Sequence, residues 1–235
     1  MITSVENKIF KKLKKLLTKK YRDELKEFIV FGEHLIYEAK KNNAIIEIYT
    51  TDNEQEGTFI DYNLAKTLSQ TKTVFKRFAL CKAINKNIIS SKVLILDEIQ
   101  DPQNLGALIR SALAFGFYKI IASKNTCDLY NDKVIRASQG AFFEVDFIRD
   151  DLILQIEKLK KENYLVLYAD AYDQNIEKKD QQKEKVAIVL GNEGNGVSKA
   201  IKTTCDAPIH LKTANVDSLN VSVAGSILMY LYRGD

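Results

Sequence analysis

Three short stretches gather the residues whose types and spacing could do chemistry. In residues 104–116, Asn104 and Arg110 stand six positions apart, with Gly106 between them where a second backbone could approach closely. In residues 191–196, Gly191, Gly194 and Gly196 surround Asn192, Glu193 and Asn195. In residues 218–224, Ser218, Asn220 and Ser222 cluster where a polar loop passes into an apolar helix that carries no charge until Arg233. A helix start presents free backbone N–H groups, so this third stretch suits ligand binding as well as simple capping by Ser218. The glycine-rich turn follows an apolar strand as a nucleotide-binding turn does. It lacks both the GxGxxG pattern and the Lys-Ser/Thr of a phosphate loop, and a tight strand-to-helix connection accounts for it equally well. Glu193 would repel a phosphate, which makes a neutral or cationic small molecule the better fit. Arg110, flanked by apolar residues, reads on spacing alone as a salt-bridged or snorkelling side chain. Binding and positioning, rather than metal or classical nucleophile chemistry, is what these residue types support together.

The rest of the composition narrows the classes. Cys81, Cys127 and Cys205 lie far apart without CxxC spacing, and His34 and His210 are the sole histidines, so no local metal motif exists. Three cysteines also argue against a secreted disulfide framework, and Cys205 reads as an inert thiol rather than a nucleophile. Residues 11–20 are too charged for a signal peptide and no long apolar run follows. The expected location is a reducing cytoplasm, without membrane or metal partners. Residues 1–90 hold 17 Lys/Arg against 11 Asp/Glu, whereas residues 91–235 hold 18 against 20. A basic first part implies a polyanionic partner.

The elements that must position these loops follow from periodicity. Val5, Ile9, Leu13, Leu16 and Leu17 define one face of a helix over residues 5–20, opened by a Thr3–Glu6 capping box. Its other face carries Lys8, Lys11, Lys12, Lys14, Lys15, Lys19 and Lys20. Two readings of that face stand together: a solvated surface, and a phosphate-binding one. Strands at residues 27–31, 45–51 and 78–84 with helices at 33–41 and 63–69 make a small α/β unit ending near Ser90. From Lys92 onward, apolar strands at residues 93–96, 119–123, 144–148, 164–168, 186–190 and 207–211 alternate with helices. A charged excursion over residues 173–185 interrupts them. This rhythm predicts a parallel sheet covered on both faces, with its ligand beyond the C-terminal strand ends. All three chemical stretches fall where a strand hands over to a helix. The expected organisation is an α/β domain over residues 1–90 and a parallel-sheet α/β domain over 91–235.

The motifs Asp101-Pro-Gln-Asn-Leu-Gly-Ala-Leu-Ile-Arg-Ser-Ala112, Gly191-Asn-Glu-Gly-Asn-Gly-Val197 and Ser218-Leu-Asn-Val-Ser-Val-Ala224 closely resemble the three ordered motifs of the SpoU (TrmH) family of SPOUT RNA 2′-O-ribose methyltransferases. Val134-Ile-Arg-Ala-Ser-Gln-Gly-Ala141 resembles a segment the family carries between them. Lys20-Tyr-Arg-Asp and Phe28-Ile-Val-Phe-Gly-Glu-His-Leu are similar to a small ribosomal-protein-like RNA-binding domain found on many members. In place of the family's usual Ile-Pro-Met, the strand here ends with Leu211, Lys212 and Thr213.

The resemblance implies a deep trefoil knot in the C-terminal domain, an exception to the general rule against knots. It implies S-adenosylmethionine as cofactor, held at Gly191, Asn192, Glu193, Leu211 and Leu219, and a homodimer through the C-terminal domain. It assigns methyl transfer to a ribose 2′-hydroxyl to Arg110, with Asn104, Glu193, Ser218 and Asn220 completing the catalytic set. RNA contacts are expected at Lys11, Lys12, Lys15, Lys19, Lys20 and Arg22. The favoured substrate is a guanosine of 23S rRNA. The alternatives are tRNA ribose methylation and a catalytically silent, knotted RNA-binding protein of ribosome assembly.

Overall fold

A computed structural model describes residues 1–69, 74–170 and 183–233 of the 235-residue chain. The first part comprises α1 (Lys8–Lys15), α2 (Lys19–Leu25), β1 (Glu27–Phe31), α3 (Glu33–Lys41), β2 (Ile45–Thr50), β3 (Thr58–Phe59), α4 (Tyr62–Leu68) and β4 (Arg77–Lys82). Its sheet runs β1-β4-β2-β3, with β4 antiparallel to both β1 and β2. The second part comprises β5 (Lys92–Leu96), α5 (Pro102–Ala114), β6 (Lys119–Ala122), α6 (Asp132–Ser138), β7 (Asp146–Arg149) and α7 (Leu152–Lys161). It continues through β8 (Leu165–Ala169), β9 (Val186–Leu190), α8 (Lys199–Thr204), β10 (Ala207–Ile209) and α9 (Val221–Leu231). These strands form one parallel sheet in the order β10-β8-β9-β5-β6-β7. The centre is β9-β5, where every residue of both strands is buried, as sheets covered on both faces require. Most of the charged stretch 173–185 lies outside the described residues.

Three sequence expectations shift by physical cause. The helix expected over residues 5–20 is two helices. Asn7, not the Thr3–Glu6 box, caps α1, its Oδ1 accepting from the N–H groups of Ile9 and Phe10. The buried stripe is therefore Phe10, Leu13 and Leu16, while Val5 and Ile9 are exposed. α2 has no apolar period to announce it, because the residue it buries is Arg22. At the far end, α9 begins at Val221 rather than Ser218. Asn220 is its cap, accepting from Ser222 N–H at 2.9 Å, worth about 1 kcal/mol.

The first sheet packs against the second part through a shared apolar core. Phe28, Val30, Leu35 and Ile36 are buried together with Leu105, Ile109, Phe142 and Phe143. The Phe28 and Tyr130 rings stack at 4.3 Å between centroids. Around this core, Glu144 accepts from Lys41 at 2.9 Å and Lys86 at 3.2 Å, and these lysines with Asn42 hold its carboxyl down at about 2. Opposite, the Arg22 guanidinium donates from Nε and Nη2 to Asp128 Oδ2 at 2.9 and 2.7 Å. α2 is thereby tied to the loop that follows β6.

Candidate active site

The loops after β5 and β9 and the one before α9 converge at the C-terminal edge of the parallel sheet. Their meeting depends on two glycines. A Cβ on Gly106 would lie 2.4 Å from Ala137 Cβ and 2.8 Å from Val134 O, so only glycine lets α5 press against α6. A Cβ on Gly191 would lie 2.0 Å from the Gly196 carbonyl carbon and 2.1 Å from Val197 N. Here the end of β9 touches the far side of its own turn. The turn closes through Asn192 N–H to Gly196 O at 3.0 Å and Gly196 N–H to Asn192 O at 2.9 Å. The Asn192 side chain fills it, Oδ1 accepting from Gly194 and Asn195 N–H while Nδ2 donates to Glu98 O at 3.0 Å.

Glu193 reaches from this turn to the start of α5. Its Oε2 accepts from Gln100 N–H at 3.2 Å, and its Oε1 accepts from Asp101 N–H at 3.0 Å and Asn104 Nδ2 at 3.1 Å. Asn104, only 7% exposed, in turn accepts at Oδ1 from Asn220 Nδ2 at 3.1 Å. One continuous chain of hydrogen bonds, Glu193–Asn104–Asn220, thus joins all three stretches that the sequence singles out. It extends into α9, where Ser222 donates to Asn220, and Ser226 bonds back to Ser222 O and across to Ser111 of α5 at 2.7 Å. Asn104 serves as the central link of the chain. Its carbonyl and amide ends must point opposite ways, which neither Asp nor Leu can reproduce.

Partial burial works to raise the Glu193 carboxyl's pKa, but the Asn104 amide and the backbone N–H groups of Asp101, Glu193 and Gln100 outweigh it. The group ends below its ordinary 4.5. A depressed carboxyl stabilises the fold fully above its unfolded value, and that contribution is lost as pH falls through the lower folded value. We therefore expect protection of the Gln100 and Asp101 amides against hydrogen exchange, taken relative to their intrinsic rates, to fall once pH drops below 4.5, and this acid dependence to vanish in Glu193→Gln. A wild-type protection that ignores pH across that range would show that the carboxylate does not hold the loop.

Beside this chain lies a cavity of about 400 Å³, within the range of small-molecule sites. Gly191, Asn192, Glu193, Leu211 and Leu219 line it, as do Ser218 and Asn220. Ile209, Val221 and Leu228 supply apolar wall. Its charged side chains are Asp170, Glu193, Asp217 and Lys202, and Lys202 is bonded to Asp170 at 2.6 Å. Acids exceed cations, so the cavity suits a ligand with positive charge rather than a polyphosphate. Sequence reasoning missed Asp170, Lys202 and His210. They come from strand ends and a helix with no local signature. Asp97 was missed too; it is 6% exposed and its Oδ2 accepts from Ser198 N–H at 2.9 Å, fixing the start of α8 behind the turn.

Two groups of expected residues lie elsewhere. Arg110 does not line the cavity. It is exposed on α5 beside the Ser111–Ser226 contact and makes no ion pair or hydrogen bond among the described residues. Among the expected RNA contacts, Arg22 is corrected: it is 7% exposed, spent on Asp128 and on Leu16 O at 2.8 Å. Lys11 is paired with Glu6, and Lys12 with Glu27 at 2.5 Å. Lys15, Lys19 and Lys20 remain exposed without an acidic partner among the described residues. Burial pushes the thiols of Cys81 and Cys205 up to about 12 and that of Cys127 up to about 11, which leaves none of them nucleophilic at neutral pH. No group of three or more metal-ligating side chains, and no helix long and apolar enough to cross a membrane, occurs among the described residues.

Comparison with known proteins matches residues 91–230 to the SpoU rRNA Methylase family and residues 7–83 to the MRM3-like substrate binding domain. The 23S rRNA (guanosine(2553)-2'-O)-methyltransferase RlmP of Bacillus subtilis is 33% identical over 99% of both chains. An uncharacterized tRNA/rRNA methyltransferase of Borreliella burgdorferi is 32% identical over 81% of this chain and 87% of its own. Among solved structures, an AdoMet-bound rRNA methyltransferase from Sinorhizobium meliloti superposes with a TM-score of 0.85 at 22% identity, covering 98% of this chain and 96% of that one. The SpoU methyltransferase AviRb from Streptomyces viridochromogenes, in complex with AdoMet, superposes with a TM-score of 0.81 at 20% identity over 97% of both. These last two establish the shared fold.

Proposed function

The chain belongs to the SpoU rRNA methylase family of RNA methyltransferases, and from that premise we propose that it methylates a ribose 2′-hydroxyl of RNA with S-adenosylmethionine. A guanosine of 23S rRNA is the favoured target. The observation that carries this reading is the Glu193–Asn104–Asn220 chain, which locks the three family motifs together beside an acid-rich cavity. The cavity fits the cofactor by chemistry. Gly191 leaves bare backbone at one wall, Leu211 and Leu219 give apolar surface for an adenine, and Glu193 and Asp217 suit a ligand that is cationic at sulfur and nitrogen. The cofactor supplies an electrophilic methyl group on a sulfonium, and its intrinsic charge makes a metal unnecessary.

What this chain must supply is alignment of the hydroxyl and stabilisation of the alkoxide that develops on it. Arg110 is the group assigned to that oxygen. An arginine is protonated at all accessible pH, so a fixed positive charge on the developing oxyanion is the easier role than proton abstraction. Asn104 and Asn220 position the loops; Ser218, exposed on the cavity wall, faces the nucleotide.

Arg110 lies outside its own cavity, which supports a two-fold dimer in which it completes the site of the partner. On α9, Val223, Ile227, Tyr230 and Leu231 form an exposed stripe with the spacing of one helical face, 39–49% accessible, next to α5. Apolar stripes of this kind mark contact surfaces. The trefoil knot belongs to the same proposal, as the family's way of building this cavity.

The exposed Lys15, Lys19 and Lys20 support an RNA contact on the first part. Ribosomal over transfer RNA is favoured because RlmP matches both parts of the chain end to end. The test offers purified protein 23S rRNA and bulk tRNA in separate reactions with methyl-labelled S-adenosylmethionine. Label entering 23S rRNA alone supports the reading; label entering tRNA alone moves the substrate; and no binding of S-adenosylmethionine at all would leave a silent RNA-binding protein.

A further inference from the structure

α2 sets one aromatic ring among the free lysines. The Tyr21 ring is half-buried, with Lys15 Nζ 5.2 Å and Lys20 Nζ 5.8 Å from its centroid. Lys14 and Lys19 are also exposed nearby in sequence, and none of the four makes an ion pair among the described residues. A ring flanked by unpaired ammonium groups matches the two needs of single-stranded nucleic acid. Both ammonium groups lie over the ring, so a base entering its π-face displaces these flexible side chains onto the phosphates on either side of it.

The position of this ring is fixed relative to the methyl-transfer cavity. Arg22, the next residue, is clamped to Asp128 Oδ2 by two hydrogen bonds. Cys127, adjacent to Asp128, donates its N–H to Ile99 O at 2.8 Å. Ile99 precedes Gln100, whose N–H is held by Glu193 at 3.2 Å. A short series of contacts therefore runs from the ring to the cavity wall.

We propose that Tyr21 is a base-stacking platform for an unpaired nucleotide of the RNA substrate, bracketed by Lys15 and Lys20 on its flanking phosphates and held in register with the cavity by the Arg22–Asp128 clamp. This rests on the proposed RNA methylation. It adds a specificity element that favours an RNA with an unstacked base at a set distance from the target ribose.

The test measures binding of 23S rRNA transcribed in vitro, over a series of salt concentrations, by the full chain and its variants. Tyr21→Ala is expected to bind about 5- to 150-fold more weakly, the range for losing one stacked base. Tyr21→Phe, which keeps the π-face, stays near wild type. Tyr21→Leu keeps the apolar packing but loses affinity as the alanine variant does, which covers the case where alanine unfolds α2. None of these three changes alters the slope of log affinity against log salt, whereas Lys20→Ala lowers its magnitude by about 0.7–0.9. Wild-type affinity in both Tyr21→Ala and Tyr21→Leu overturns the platform, as does equal loss in Tyr21→Phe. Binding is read separately from methyl transfer by the wild type on the same RNA, so failure of the platform is distinct from failure of the reaction itself.

Discussion

Arg110→Ala is expected to slow methyl transfer by about 10²- to 10⁴-fold, the range for removing one group that manages charge or protons in a transition state. Thermal stability and S-adenosylmethionine affinity should stay unchanged. The expectation follows from where the side chain sits. Arg110 is exposed on α5, bonds to nothing among the described residues, and lies off the cavity. An exposed side chain without partners contributes little to folding, within about 0.5 kcal/mol. A structural role would instead show as a lower melting temperature. Arg110→Lys keeps a positive charge but loses the planar fork, so partial recovery points to charge and none points to bidentate geometry. If Arg110 acts across a dimer, mixing Arg110→Ala with a cavity-defective variant restores activity, since hybrid dimers then contain one intact site. Wild-type turnover by Arg110→Ala would remove the residue from the mechanism.

Gly191→Ala should be the most damaging single methyl group in the second part of the chain. The added carbon would lie 2.0 Å from the Gly196 carbonyl carbon, 2.1 Å from Val197 N and 2.3 Å from Gly196 O. All three are backbone atoms, so no side-chain rotation relieves the clash. The turn must open, breaking both Asn192–Gly196 hydrogen bonds and displacing Glu193 from the start of α5. A loss of about 4 kcal/mol or more is expected, a fall in melting temperature of about 8–16 °C for a chain of this size, together with loss of S-adenosylmethionine binding. Two neighbouring glycines provide the scale. At Gly194 the nearest atom to an added Cβ is Asn192 Oδ1 at 3.6 Å, so Gly194→Ala should be nearly silent. Gly196 has open space but a φ of +66°, so alanine there meets backbone strain of about 1–2 kcal/mol and no clash. An observed order other than Gly191 worst and Gly194 mildest would mean that the turn is not packed as described.

Much of this architecture is legible in the sequence, because it follows from periodicity and residue class. Apolar strands alternating with helices after Lys92 announce a parallel sheet, and loops rich in glycine and asparagine at its strand ends announce where a ligand belongs. What stays hidden is every feature made by a contact between distant residues. Arg22 reads as one more surface cation beside Lys19 and Lys20. Its partner Asp128 lies 106 positions away, and only the packing of β1 against the second part brings the two together. Lys12 looks identical to Lys15 in the sequence, yet one is neutralised by Glu27 and the other faces Tyr21. Asn104 reads as a member of the catalytic set, whereas both ends of its amide are committed to Glu193 and Asn220. The start of α9 falls at Val221 instead of Ser218, since an asparagine two residues on caps it, which frees Ser218 for the cavity.

The separation of tasks has a physical logic. Glu193, Asn104 and Asn220 satisfy one another and so keep three loops rigid without a ligand to hold them. Arg110 and Ser218 are left exposed and without hydrogen-bond partners among the described residues, which suits the proposed approach of substrate. The stabilising network and the groups proposed to meet the substrate are adjacent but distinct.

The central claim is tested most directly by incubating purified protein with 23S rRNA and S-adenosylmethionine labelled on its methyl group, then mapping the label on the RNA. The account predicts a single site whose ribose 2′-oxygen carries the methyl group and whose backbone resists alkaline cleavage, formed about 10²- to 10⁴-fold more slowly by Arg110→Ala. Label on a base, or protein that binds S-adenosylmethionine yet modifies no RNA, would contradict it.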